Sequence, residues 1–171
     1  MSEAKPGLLL RFRDLVTEPG GNIREHRQII SDLGFAWWGW WARSQELVPN
    51  DTFAQLLSGG TAFPAVLFDS GLMEFYYASC SKVAISPAAT GIASPDFRAT
   101  PHYYVRGNYP AWFKIHGALD RIGPDLFSIV GRPTGQNKSD DFEEITKFDA
   151  EDLRKEDPTL WSINYHGPDH A

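Results

Sequence analysis

Four of the six tryptophans of this 171-residue chain fall within five positions, Trp37-Trp38-Gly39-Trp40-Trp41. Indole faces stack on nucleobases at roughly 1–3 kcal/mol per base, and Gly39 removes a side chain between two indoles, which leaves room for a flat ligand to approach the backbone. In an extended strand Trp37, Gly39 and Trp41 share one face while Trp38 and Trp40 share the other. Both faces are therefore aromatic, although a half-buried strand needs only one apolar face. Two readings follow: at least one indole meets a ligand, or all four fill core and shield a sheet edge. A second stretch, Thr100-Pro101-His102-Tyr103-Tyr104-Val105-Arg106 followed by Tyr109-Pro110-Ala111-Trp112-Phe113-Lys114, interleaves aromatic rings with two cations. It offers stacking planes together with donors for phosphate or base oxygens. The competing reading is an aromatic strand edge with solvated cations.

Other chemistries find less support. His166 and His170 are four apart, but Gly167-Pro168 between them prevents a helical metal pair, and a disordered tail is expected there. His26 lies near the apolar stripe of a helix and is expected to pack. His102 and His116 are catalytic only with a partner that the sequence does not reveal. Asp140-Asp141-Phe142-Glu143-Glu144 reads as a solvated charge run, and the single cysteine, Cys80, as a buried structural thiol. Ser58-Gly59-Gly60 and Asp69-Ser70-Gly71 are turns and not a nucleophile elbow. Neither GxxxxGK[ST] nor GxGxxG occurs. The expectation is no catalytic set, no metal site and no cofactor.

The elements that must position these residues are read from periodicity and punctuation. Leu8–Arg13 is a first strand. Asn22 with Glu25 reads as a capping box opening a helix, with Ile23, Ile29, Ile30 and Leu33 on its apolar face and Gly34 as its left-handed stop. Phe35–Ala42 is a second strand, and Pro49-Asn50-Asp51 opens a short helix to Leu57. Ala62–Phe68 and Phe75–Ile85 are strands joined at Asp69-Ser70-Gly71, and Ser86–Thr100 is a loop. Strands follow around Trp112–Ile115 and over Leu126–Gly131. Beyond the polar linker Arg132–Asp141, an acidic helix over Thr146–Glu156 and a last strand over Leu160–Tyr165 complete the order. Short strands that do not alternate with long helices suggest a curled or barrel-like sheet, not a doubly wound fold.

The net charge of −6 is unevenly placed. Residues 1–136 carry 12 Lys/Arg and 12 Asp/Glu, whereas residues 137–171 carry 4 and 10. A grip on long duplex DNA through many phosphates requires a basic face, and none is evident. One nucleotide, one extruded base or a small ligand remains compatible with a neutral body. No apolar run approaches membrane-spanning length, the first residues lack a signal-peptide pattern, and a lone cysteine permits no internal disulfide. A cytoplasmic protein is expected.

The order strand, helix, Trp-rich strand, short helix, then Ala65-Val66-Leu67-Phe68 and Ala78-Ser79-Cys80-Ser81-Lys82-Val83, resembles the PUA-like superfamily, with EVE and ASCH domains as the nearest echoes. Trp37-Trp38-Gly39-Trp40 is similar to the Trp-x-Gly-Val of EVE domains, Val66-Leu67-Phe68-Asp69 to their next apolar strand, and Phe75–Val83 corresponds to the strand after it. The likeness covers roughly residues 8–131. Where EVE domains continue with Arg-Asn, this chain has Trp41-Ala42, with Arg43-Ser44 two residues later. The resemblance implies a pseudo-barrel whose mouth holds a nucleobase, often a modified one, between aromatic walls.

The resulting expectation is an α+β, PUA-like pseudo-barrel of short, mostly antiparallel strands with a few peripheral helices. Residues 1–136 form the domain, and 137–171 an acidic extension packed at least partly on it. Its function is non-catalytic recognition of a nucleobase or nucleotide, free or within a nucleic-acid strand. Trp38, Trp40 and Trp41 serve as walls, Tyr103 or Tyr104 closes the cage beside Trp112, and Arg43, Arg106 and Lys114 answer phosphate or base acceptors. The alternatives are a small ASCH-like hydrolase of a nucleoside-like amide, and a subunit that docks on a protein partner through its aromatic patch and acidic tail. No membrane partner is expected.

Overall fold

The computed structural model describes residues 4–88, 90–134, 153–154 and 158–168. Eight strands form one sheet: β1 (Lys5–Phe12), β2 (Ala36–Gly39), β3 (Phe63–Asp69), β4 (Glu74–Ile85), β5 (Ala111–His116), β6 (Arg121–Ile122), β7 (Phe127–Gly131) and β8 (Leu160–Tyr165). Their spatial order is β2-β5-β4-β3-β1-β8-β7, with the two-residue β6 beside β4. β1 and β3 run parallel and the other pairings are antiparallel. The α+β class and the short antiparallel strands are as expected, but the barrel is not. The sheet stays open because β2 and β7 end the order without pairing to each other. The acidic helix expected over 146–156 lies outside the described residues, apart from Leu153 and Arg154.

Alternation along the strands sorts side chains onto two faces. On one face Leu8, Leu10, Phe12, Phe63, Ala65, Leu67, Ala78 and Cys80 form the main core. It is covered by α1 (Gly21–Leu33) through Ile23 and by α2 (Asn50–Leu57) through Phe53. On the other face Leu9, Val66, Phe68, Phe75 and Tyr77 pack with Trp161, Ile163 and Tyr165 of β8. At the β2–β5 end of that face lies a third, aromatic cluster of Trp37, Ala99, Tyr104 and Trp112. Two single 3-10 turns, Phe97–Ala99 and His102–Tyr104, contribute to it from the segment between β4 and β5.

The entry to α1 differs from the expected capping box. The carboxylate of Asp14 accepts the backbone N–H of Gly20 at 2.8 Å and of Asn22 at 3.2 Å, so the free amides of the first turn are satisfied from upstream. This releases the Asn22 side chain for another task. At the other end Gly34 adopts the left-handed conformation (φ 88°) and donates to Ile30 O at 2.7 Å, as expected of a stop. His166, expected in a disordered tail, is instead held at the sheet margin: its N–H donates to Leu126 O at 2.7 Å and its Nε2 lies 3.0 Å from Ser128 Oγ.

Candidate functional site

The Trp-rich strand divides between two packed faces. Trp38 and Trp40 point into the main core, 2% and 1% exposed, and Trp37 points into the aromatic cluster at 5%. Trp38 lies against Phe12 and His26, with ring centroids 4.9 and 4.5 Å away. The Trp40 indole N–H donates to Thr159 Oγ1 at 3.0 Å, and that hydroxyl donates in turn to the Glu46 carboxylate. Glu46 also accepts from Thr134 Oγ1 at 2.8 Å and from Thr159 N–H at 3.1 Å, which ties the loop after β2 to the start of β8. Trp112 is fully buried and donates to Ile92 O at 2.9 Å. Trp38, Trp40 and Trp112, and likewise Tyr104, therefore offer a ligand no open face: the wall role expected of Trp38 and Trp40, and the ligand contact expected of Trp112 and Tyr104, give way to packing. A strand buried on both sides has a use for aromatic residues on both.

Gly39 serves packing too. A Cβ built there would lie 2.9 Å from Tyr109 Cδ2 and 3.1 Å from Trp112 Cζ3. The space it leaves is taken by Tyr109 and not by a ligand. Gly39→Ala is expected to force the Tyr109 ring aside and lower stability by about 1–3 kcal/mol, the range for overpacking. Thermal unfolding together with tyrosine side-chain NMR would register both effects.

What remains open is the rim of the aromatic cluster: Trp41, Tyr103 and Tyr109 are half-buried. Trp41 and Tyr109 are parallel to within 10°, with centroids 6.3 Å apart, and both stand nearly perpendicular to Tyr104 at 5.7 Å. Beneath them the buried Asn22 amide holds the tyrosine pair. Its Nδ2 donates to Tyr104 OH at 2.8 Å, and its Oδ1 accepts from Tyr103 OH at 2.9 Å. Among the described residues the buried Trp41 Nε1 has no partner at hydrogen-bond geometry, although it lies near enough to the Tyr109 hydroxyl to favour that oxygen electrostatically.

Burial raises the pKa of all three tyrosines above the usual phenol range. The Asp14 and Glu25 carboxylates push those of Tyr103 and Tyr104 in the same direction, and the Asn22 hydrogen bond opposes this at Tyr104. The three phenols are therefore neutral at physiological pH and serve as hydrogen-bonding hydroxyls, not as nucleophilic phenolates. Arg43 and Arg106 are exposed on the loops after Trp41 and Tyr104, and the Lys114 ammonium sits 4.4 Å above the Phe35 ring.

Asn22 and Tyr109 went unrecognised as site residues in the sequence, because Asn22 carries an ordinary helix-start signal and its tyrosine partners lie 81 and 82 residues away. A separate concavity of about 480 Å³ between Leu47–Thr52 and Arg132–Pro133 contains Asp51 and Arg132 but no aromatic ring, so it does not suit a stacked base. Among the described residues no three His, Cys, Asp or Glu side chains come together as metal ligands, and no helix is long and apolar enough to cross a membrane. Cys80 is buried, with its thiol pushed up to about 12 by burial.

The chain matches no curated protein and no solved structure. The family model described as Pua-like matches residues 8–169, from within β1 through β8. The chain belongs to the PUA-like family.

Proposed function

We propose that the protein recognises a nucleobase or nucleotide at the rim formed by Trp41, Tyr103 and Tyr109, which rests on the buried Tyr104 and Asn22. The observation that carries this reading is the Asn22 amide, buried and bonded to both tyrosine hydroxyls, which fixes two adjacent rings beside the half-buried Trp41 and Tyr109. Such a frame is pre-ordered, so little conformational entropy is lost when a planar ring settles on it. The half-buried faces of Trp41, Tyr103 and Tyr109 suit the plane of a base. Membership of the PUA-like family supports the same ligand class.

The charge distribution narrows the mode of binding. A body with equal numbers of cations and anions over residues 1–136 gains little from counterion release. One base with its own phosphate, or one base extruded from a strand, fits better than a long duplex. Titration of the full chain with nucleosides, nucleotides and short oligonucleotides at several salt concentrations tests this. Binding is expected to depend weakly on salt, with about three phosphate contacts at most. Trp41→Ala is expected to weaken it by roughly 1–3 kcal/mol while circular dichroism stays native. A steep salt slope on duplex DNA, or unchanged affinity in folded Trp41→Ala and Tyr109→Ala variants, would overturn the assignment.

A further inference from the structure

Away from the aromatic rim, β4 and β5 bring together two residues that are far apart in sequence. Ser81 Oγ lies 2.6 Å from His116 Nε2, and His116 Nδ1 lies 3.1 Å from the Gly34 carbonyl oxygen. Only Nδ1–H can donate to that carbonyl, so the proton resides on Nδ1 and Nε2 presents its lone pair to the serine hydroxyl. A hydroxyl, a base within reach of it and a third group that orients the base are the components of an activated nucleophile.

Two local features build the arrangement. The β4–β5 register shifts between Cys80 and Lys82, which leaves Ser81 as the extra residue of a bulge. Cys80 and Val83 both face the main core, whereas strict alternation after Cys80 would turn Lys82 inward. The bulge keeps that charge outside and leaves Ser81 and Lys82 both exposed. The orienting carbonyl belongs to Gly34, the left-handed stop of α1. The surrounding surface carries Phe35, whose ring centroid is 6.4 Å from that of His116, and Lys114, whose register partner on β4 is Lys82.

We propose that Ser81 and His116 form a second, chemically competent site, in which Ser81 is acylated by small activated carboxylic esters with His116 as general base. Ser81 Oγ bonds to the ester carbonyl carbon while its proton passes to His116 Nε2, and the imidazolium keeps its Nδ1–H on the Gly34 carbonyl. Collapse of the tetrahedral adduct breaks the bond to the leaving oxygen, which departs with the proton held by His116. Water then attacks the acyl-serine carbonyl and gives a proton to Nε2, and Ser81 leaves as it regains one. The sum is ester plus water to acid plus alcohol. The site stands independently of the nucleobase reading and uses none of its residues.

The test is incubation of the full chain with p-nitrophenyl acetate at neutral pH, with p-nitrophenolate release followed by absorbance and acetylated residues identified by peptide mass mapping. Acetyl-Ser81 is expected in the wild type and absent from Ser81→Ala. His116→Gln is expected to slow its formation on the order of 100-fold, the lower end for loss of a general base. Ser128 provides an internal control: its Oγ lies 3.0 Å from His166 Nε2, but no acceptor among the described residues orients the other ring nitrogen. Ser128→Ala should leave the rate unchanged. The proposal is overturned if wild-type Ser81 remains unmodified, or if His116→Gln, native by circular dichroism, acetylates Ser81 within about twofold of the wild-type rate.

Discussion

Replacing Trp40 by alanine is expected to destabilise the protein by about 3–5 kcal/mol, the range for deleting a large buried aromatic side chain. The indole is 1% exposed and meets the Phe53 ring edge-on at 6.5 Å. Its loss opens a cavity between α2 and the sheet. It also removes the donor that fixes Thr159 Oγ1, the hydroxyl through which the Glu46 carboxylate holds the start of β8. Because domains have only about 5–15 kcal/mol of stability to lose, such a variant is marginal or unfolded. Trp40→Phe keeps most of the buried surface and loses the hydrogen bond and part of the ring volume, for which a smaller cost of about 1–3 kcal/mol is expected. Denaturant unfolding of both variants beside Trp41→Ala separates core from rim. The core assignment fails if Trp40→Ala and Trp41→Ala lose equal, small amounts of stability.

The contrast between Trp40 and Trp41 shows how much of the site was legible in the sequence. Strand parity was: Trp38 and Trp40 do share one face, and Trp37, Gly39 and Trp41 the other. The strands themselves were also legible, from apolar runs and turn residues. What parity cannot disclose is whether a face meets solvent, because that depends on distant chain. Trp37 and Gly39 are covered by Tyr104, Tyr109 and Trp112, which come from the far side of a long connection. The capping signal at Asn22 misled for a similar reason. Asp14 satisfies the first turn, and the Asn22 amide bonds to Tyr103 and Tyr104 instead. β6 has only two residues, too few for any period to show, and the bulge at Ser81 breaks the alternation on which strand reading depends. The pairing of Ser81 with His116 thus emerges only from tertiary register.

His26 should make the fold sensitive to mild acid. Its ring is completely buried, with centroids 4.5 Å from Trp38 and 6.0 Å from Tyr104. Nδ1–H donates to Asn22 O at 2.8 Å, and Nε2 has no partner at hydrogen-bond geometry among the described residues. Burial lowers its pKa from 6.5 to about 4, and the Asn22 and Trp37 carbonyls, which favour the imidazolium, offset only part of this. Above pH 6.5 neither the folded nor the unfolded chain protonates this ring, and the fold has its full stability. Between pH 6.5 and about 4 the unfolded chain takes up a proton that the native state refuses, so stability falls as pH falls. Across that window the loss from this one residue is on the order of 3 kcal/mol. Burial raises the Asp69 carboxyl, which favours the native state on acidification and so opposes the trend. The comparison that isolates His26 is therefore wild type against His26→Phe, which keeps a ring between Trp38 and Tyr104. Denaturation midpoints measured from pH 7.5 to 4 should fall more steeply for the wild type. Parallel profiles for the two proteins would show that His26 is not the group that titrates.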